Sequence, residues 1–164
     1  DLNNATRRVL RDYAEGLAMG YRYFDSAPER PLFPFGHGLT YTTFGIADLR
    51  LPATASAGDP VMIEVSVTNT GDREGQEVVQ VYVSQLEPRL PRPPKELKAF
   101  AKVRLAPGET RRVSLTLEPR AFAPYDPATK SWPVDPGDYD ILVGRSAGDI
   151  RVKGTVRLEV QGAN

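Results

Sequence analysis

The sequence has 164 residues, enough to bury a hydrophobic core in one domain with a flanking segment. It contains no cysteine, which excludes disulfide frameworks and thiolate metal sites. The 21 Lys and Arg residues balance the 21 Asp and Glu residues, and no apolar run approaches the roughly 18 residues that span a bilayer. We therefore expect neither nucleic acid nor a membrane as a partner.

The N-terminal part of the sequence does not alternate as a strand would. Residues 1–4 have neither the basic flank nor the apolar stretch of a signal peptide, so both a secreted and a cytoplasmic location stay open. Helix-like spacing follows at Leu2, Thr6, Val9, Tyr13 and Leu17, and Gly16 and Gly20 would end such a helix. Residues 20–44 then carry seven aromatic side chains.

From residue 61 onward, five runs alternate apolar and polar residues with a period of two. They cover residues 61–68, 79–84, 113–118, 139–143 and 156–160. Successive side chains of a strand point to opposite faces, so each run predicts a half-buried strand. Turn sequences rich in Gly, Pro, Asn and Asp separate the runs. This pattern predicts an all-β fold, an antiparallel β-sandwich.

The alternation also assigns an inward-facing set to two facing sheets. We expect the core to include Val65, Val67, Val79, Val81, Val103, Leu115, Leu117, Ile141, Val143, Val156 and Leu158. A register slip of one residue would turn every one of these side chains outward, so their burial tests the strand assignment.

Residues 85–94 interrupt the alternation with four prolines. Because proline has no backbone N–H, we predict an extended loop that runs over the sandwich. Arg89 and Arg92 in this loop either reach a neighbouring domain or remain solvated, and solvation is the favoured interpretation.

Two motifs in the aromatic region identify a family resemblance. GYRYFD at residues 20–25 and LFPFGHGLTYTTF at residues 32–44 resemble the junction that leads into the C-terminal fibronectin type III-like domain of glycoside hydrolase family 3. Later motifs agree in order and spacing: VSVTNTG at 65–71, GQEVVQVYV at 75–83, RPPKELKAF at 92–100, LAPGET at 105–110, and PGDY with ILVG at 136–144. The resemblance covers roughly residues 13 to 160.

The resemblance implies a division of the chain. Residues 1–44 would be a junction segment from the end of an α/β-sandwich domain, irregular in structure. Residues 45–164 would be an immunoglobulin-like, fibronectin type III-like β-sandwich. Around residues 13–20, where helical spacing and the resemblance disagree, we follow the resemblance and expect extended chain.

The resemblance also implies an activity for a parent protein, though not for this segment. Similar family members are retaining β-glucosidases and β-xylosidases, whose mechanism needs two carboxylates about 5 Å apart. In the family, the nucleophile lies in a barrel domain and the acid/base in the α/β-sandwich domain, so no catalytic residue is assigned here. We expect Asp126, Asp135 and Asp138 to cap turns instead.

Candidate binding residues come from the junction motifs. His37, Phe35 and Tyr41 are either interdomain contacts or part of the rim of the parent's sugar pocket. For Tyr21, Arg22, Tyr23 and Phe33 the resemblance implies interdomain packing. No metal site and no cofactor are expected, because a single histidine and no cysteine cannot supply the usual ligand sets. Trp132 either packs at the sandwich edge, the favoured interpretation, or binds sugar.

Two functions fit these features. The first is an accessory domain of a bacterial β-glucosidase, in contact with the barrel and α/β-sandwich domains of its parent; the bacterial source is indicated only by the Arg-, Ala- and Pro-rich composition. The alternative is an autonomous carbohydrate-binding or adhesive module, because fold alone does not decide function. A free-standing module would expose the aromatic junction and aggregate, which favours the accessory domain.

Overall fold

A computed structural model describes residues 15–160. Eight strands and two short helical turns make up its regular structure. They are α1 Tyr21–Phe24, β1 Phe44–Arg50, β2 Thr54–Ser56, β3 Val61–Asn69, β4 Gly75–Gln85, β5 Glu96–Leu105, β6 Thr110–Leu117, a 3-10 turn Pro119–Ala121, β7 Gly137–Ser146 and β8 Asp149–Glu159.

The strands form two sheets packed face to face. One has three strands in the order β1-β3-β6, and the other has five in the order β2-β8-β7-β4-β5. The predicted β-sandwich is confirmed, with one departure from a purely antiparallel arrangement. Strand β2 pairs in parallel with β8, because the chain leaves β1 in the smaller sheet and crosses to the edge of the larger one.

The predicted core is confirmed in full. All eleven residues assigned to it are buried, on the facing sides of the two sheets. Alternation also placed the register correctly, since a slip would have exposed them all. The core further contains Phe44, Ile46, Leu105, Phe122 and Tyr139, some of which lie in strands that the period-two pattern did not single out.

The region before Tyr21 is not extended as expected. The N–H of Ala18 donates to the carbonyl of Glu15 at 3.0 Å and closes a turn around Gly16, whose φ is 55°. Gly20, with φ 60°, then reverses the chain into the single turn of α1. Positive φ at these two glycines explains the bends. Similarity of sequence motifs alone does not predict the backbone conformation of a glycine. The rest of the predicted helical or extended stretch, residues 1–14, lies outside the described residues.

The proline-rich loop after β4 runs over the sandwich but does not leave Arg92 in solvent. The Arg92 side chain is only 4 % exposed and pairs with Glu96 at 2.5 Å. It also donates to Gln85 Oε1 at 3.0 Å and to the carbonyl of Phe122 at 2.7 Å. The favoured interpretation of a solvated Arg92 is therefore wrong, since this guanidinium ties the loop to the sandwich. Arg89 is half exposed and pairs with Asp126 and Asp135.

Candidate functional site

Part of the junction segment forms a third layer on the five-stranded sheet. Because Val81 and Val83 fill the core, Tyr82 lies on the opposite face of β4, where a lone sandwich would meet water. Tyr82 is nevertheless fully buried, since the ring of Tyr21 packs edge-on against it at 5.9 Å between centroids. Phe35 also packs against Tyr21, with ring centroids 5.3 Å apart.

Polar contacts fix this layer to the sandwich at several points. The N–H of Leu97 on β5 donates to the Tyr21 hydroxyl at 2.8 Å, and Arg22 pairs with Glu96 at 3.3 Å. Lys95 pairs with Asp25. Burial alone would raise the pKa of Glu96. The hydrogen bond from Arg92 and the charges of nearby cations together lower that pKa by more than burial raises it, so the net shift is downward. The carboxylate stays charged and holds the cluster together.

Gln80 connects Tyr82 to the junction segment. The Tyr82 hydroxyl donates to Gln80 Oε1 at 2.5 Å, and Gln80 Nε2 donates to the carbonyl of Arg145 at 2.8 Å. Burial, reinforced by Tyr21 and Asp25, raises the pKa of Tyr82 far above its ordinary value, so this hydroxyl remains a donor. Gly36 sits directly on the Gln80 amide with φ 84°, so the close approach and the backbone conformation both require glycine.

The junction segment is fixed a second time where it enters β1. Thr42 is buried, and its hydroxyl donates to Asn69 Oδ1 at 2.7 Å. The N–H of Thr70 donates to the carbonyl of Thr43 at 2.8 Å. Residues 36 and 42 are thus both held by the sandwich, and residues 37–41 form a loop between two fixed points.

The outer side of the junction segment is apolar and exposed. We call seven of its exposed side chains, those between residues 23 and 41, the aromatic ridge: Tyr23, Phe24, Leu32, Phe33, Phe35, Leu39 and Tyr41. Within the described residues, this stretch is much less buried than the strands, as expected of a surface that another body covers. Large apolar side chains exposed in this number on one segment are typical of an interaction surface.

Comparisons with known proteins agree with this architecture. A family model described as fibronectin type III-like domain matches residues 77–147. The chain is 45% identical over 148 residues to thermostable beta-glucosidase B of Acetivibrio thermocellus, covering 90% of this chain and 20% of that protein. It is 42% identical to probable beta-glucosidase I of Aspergillus fumigatus over an alignment of 158 residues, covering 93% of this chain and 18% of that protein.

A solved structure extends the likeness to three dimensions. The GH3 beta-glucosidase of Bifidobacterium adolescentis superposes with a TM-score of 0.84 at 37% identity, over 93% of this chain and 23% of that one. The chain belongs to the fibronectin type III-like domains of glycoside hydrolase family 3. It spans about a fifth of the length of the curated relatives that it matches. Because these relatives include fungal proteins, they support no restriction to bacteria.

In this family 3 domain, the residues singled out from sequence lie in two environments. Tyr21 and Arg22 face the sandwich through the contacts described above. Tyr23, Phe33 and Tyr41 point outward on the aromatic ridge, and Phe35 contributes to both sides. His37 is exposed and its ring lies 5.2 Å from that of Phe33, between centroids. Their roles toward another domain stay predictions.

The residues that hold these side chains in place are not among the candidates predicted from sequence. Gln80 and Tyr82 occupy the face of β4 that alternation assigns to solvent, so nothing in the pattern marks them as buried. Asn69 does carry a signal, because an Asn-Thr-Gly sequence after a strand is typical of a side chain that caps the turn. Leu39 lies within a junction motif, and nothing in the motif distinguishes it from its neighbours.

The three aspartates considered as catalytic candidates are engaged elsewhere in the domain. Asp126 accepts the N–H of Ala128 at 2.9 Å, and backbone hydrogen bonds of this kind lower its pKa. This is the turn-capping role predicted for it. Asp138 is an exposed partner of Arg157, and Asp135 pairs with Arg89. An acid/base carboxyl needs a raised pKa, which the lowered pKa of Asp126 excludes for that group.

Trp132 borders a groove of about 860 Å³ whose apolar lining includes Leu90 and Pro93. The Arg120 guanidinium covers its ring, and the ring of Tyr125 lies 4.9 Å away between centroids. Trp132 is 48% exposed, and because the Arg120 guanidinium already occupies one of its faces, the geometry supports packing at the sandwich edge.

Residues 15–160 show neither a cluster of metal ligands nor a membrane-spanning helix. Those residues hold no group of three or more His, Cys, Asp or Glu side chains arranged to bind a metal ion. In the same range, no helix is long and apolar enough to cross a membrane.

Proposed function

We propose that this chain is a non-catalytic accessory domain of a retaining β-glucosidase. In that parent protein, the barrel and α/β-sandwich domains would carry the hydrolysis of terminal β-D-glucosyl residues. The curated relatives described above are named β-glucosidases and are about five times longer than this chain. The proposal also keeps the division of the chain into a junction segment, residues 1–44, and a sandwich, residues 45–164.

One observation carries the proposal: one side of the junction segment contacts the sandwich, and the other side exposes apolar side chains. Its inner side is bonded to the sandwich through Tyr21 and Arg22, and Gly36 packs directly against the Gln80 amide. Its outer side presents the aromatic ridge, which a second body must cover to remove apolar surface from water. Such a segment holds two domains in a fixed relation. The domain would thereby stabilise the catalytic domains, and His37, Phe35 and Tyr41 would either contact another domain or border the pocket rim.

The structure favours this function over an autonomous carbohydrate-binding module. Five of the eight exposed aromatic side chains in the described residues lie on the junction segment. On the sandwich, Tyr125 and Trp132 are about half exposed beside a groove, and the Arg120 guanidinium occupies one face of the Trp132 ring. A stacking platform for sugar would need a free ring face.

The purified 164-residue chain should not hydrolyse aryl β-glucosides, whereas the longer protein that contains it should. The chain offers no carboxylate pair suited to a retaining mechanism among the three aspartates considered. Release of aryl alcohol, measured on both proteins with the same substrate, checks this. Turnover by the isolated chain that survives substitution of Asp126, Asp135 and Asp138 by Asn would refute the non-catalytic assignment.

A further inference from the structure

Residues 37–41 form a loop that lies beside β4 at Thr40, whose Oγ1 would be 3.5 Å from a Cβ atom built on Gly75. Two side chains of the loop are nevertheless almost fully exposed. Leu39 is 96% exposed and Tyr41 is 92% exposed, the highest values among the large apolar side chains of the described residues. The loop carries no Asp, Glu, Lys or Arg. Leu39 and Tyr41 thus present an uncharged, largely apolar surface to their surroundings.

Both ends of this loop are fixed. At its start, the N–H of Ala147 donates to the carbonyl of Phe35 at 2.8 Å, and Gly36 rests on the Gln80 amide. At its end, Thr42 is held by Asn69. The N–H of His37 also donates to the carbonyl of Pro34 at 2.9 Å, which fixes the first bend of the loop.

We infer that residues 37–41 are a preorganised binding loop whose anchors, Leu39 and Tyr41, insert into an apolar recess of another domain of the same protein. The inference rests on the proposed function and names the residues that carry it. Fixing both loop ends in advance reduces the conformational entropy lost on docking. Aromatic and apolar anchors that enter a recess account for most of the energy of an interface.

The occupant follows from the chemistry of the loop and the length of the relatives. An uncharged apolar tip is complementary to an apolar recess, since a charged surface would lose hydration without gaining a partner. Relatives of about five times this length supply further domains, in which such a recess would lie. Another domain of the same protein is the partner that the proposed function already brings to the aromatic ridge.

Thiol labelling of the longer protein tests the inference. The chain contains no cysteine, so Leu39→Cys, Phe33→Cys and Met62→Cys each introduce one thiol whose peptide is identified by mass spectrometry. Met62 lies on the outer face of the three-stranded sheet and is 62% exposed, against 96% for Leu39. Exposure within the domain therefore predicts that Leu39→Cys reacts with a maleimide at least as fast as Met62→Cys. Docking of the loop instead predicts a rate about tenfold lower for Leu39→Cys.

The outcomes distinguish a failure of this inference from a failure of the proposed function. Protection of Leu39→Cys supports the inference, provided that it persists when the protein is diluted. Protection that disappears on dilution would assign the loop to a second copy and overturn the inference. If Phe33→Cys is protected and Leu39→Cys is not, the part of the aromatic ridge around Phe33 docks without the loop, and only the inference fails. If neither is slower than Met62→Cys, both the inference and the proposed docking fail.

Discussion

Replacing Asn69 by alanine should lower the free energy of unfolding by about 3–4 kcal/mol. The Asn69 side chain is fully buried at the end of β3 and satisfies its hydrogen-bonding capacity within the domain. Its Oδ1 accepts from the Thr42 hydroxyl at 2.7 Å and from the N–H of Gly71 at 3.1 Å. Its Nδ2 donates to the carbonyls of Arg73 at 2.7 Å and Leu105 at 3.0 Å.

Alanine would leave those four partners without Asn69, and buried polar groups without a partner are costly. The loss would loosen the entry of the junction segment, the turn after β3 and the end of β5 together. Chemical denaturation followed by circular dichroism measures the change. Thr68→Ala is the matched control, because the Thr68–Thr110 hydrogen bond at 2.8 Å is exposed and its loss should cost about 0.5 kcal/mol or less. Equal effects of the two substitutions would contradict the account of Asn69.

Gly36→Ala should destabilise the domain by about 2–4 kcal/mol, whereas Gly38→Ala, two residues away, should change stability by about 0.5 kcal/mol or less. The added methyl group at residue 36 would overlap the Gln80 amide, and φ is 84° there. To make room, Gln80 must give up its bonds to Tyr82 and to the carbonyl of Arg145. At Gly38 the space is open and φ is not positive.

Two measurements compare the Gly36→Ala and Gly38→Ala variants. Denaturation gives the stability change, and near-ultraviolet circular dichroism reports on Tyr21 and Tyr82, whose packing depends on the position of residue 36. We expect Gly36→Ala to weaken the tyrosine signal before the sandwich itself unfolds, because the core contains none of the affected groups. Wild-type behaviour of Gly36→Ala in both measurements would show that the third layer does not depend on this contact.

The sandwich could be predicted from the sequence because a half-buried strand alternates apolar residues on its buried face with polar residues on its exposed face. Val65, Val67, Ile141 and Val143 are apolar at every second position, and the structure buries all four. Strand β2 was not predicted, because three residues are too few to show an alternation of apolar and polar residues. Its parallel pairing depends on where the chain crosses between sheets, which local sequence does not encode.

The site could be predicted only in part, for a physical reason. Motifs at residues 20–44 located the junction segment, and their aromatic content predicted an exposed apolar surface. Which side of that segment faces inward depends on contacts made by residues distant in sequence, such as Tyr82 with Tyr21 and Gln80 with Gly36. On the alternating pattern, Gln80 and Tyr82 belong to the solvent face of β4, so their burial follows only from the third layer.

We propose that this domain serves a glycosidase by docking through the aromatic ridge, and removing the domain from the longer protein is the direct test. Hydrolysis of an aryl β-glucoside and the melting temperature would be measured for the longer protein, for the same protein lacking this domain, and for the latter with the 164-residue chain added. Removal should lower activity and melting temperature. The added wild-type chain should restore both, whereas a Phe33→Asp chain should not. Unchanged activity and melting temperature after removal would contradict this proposal.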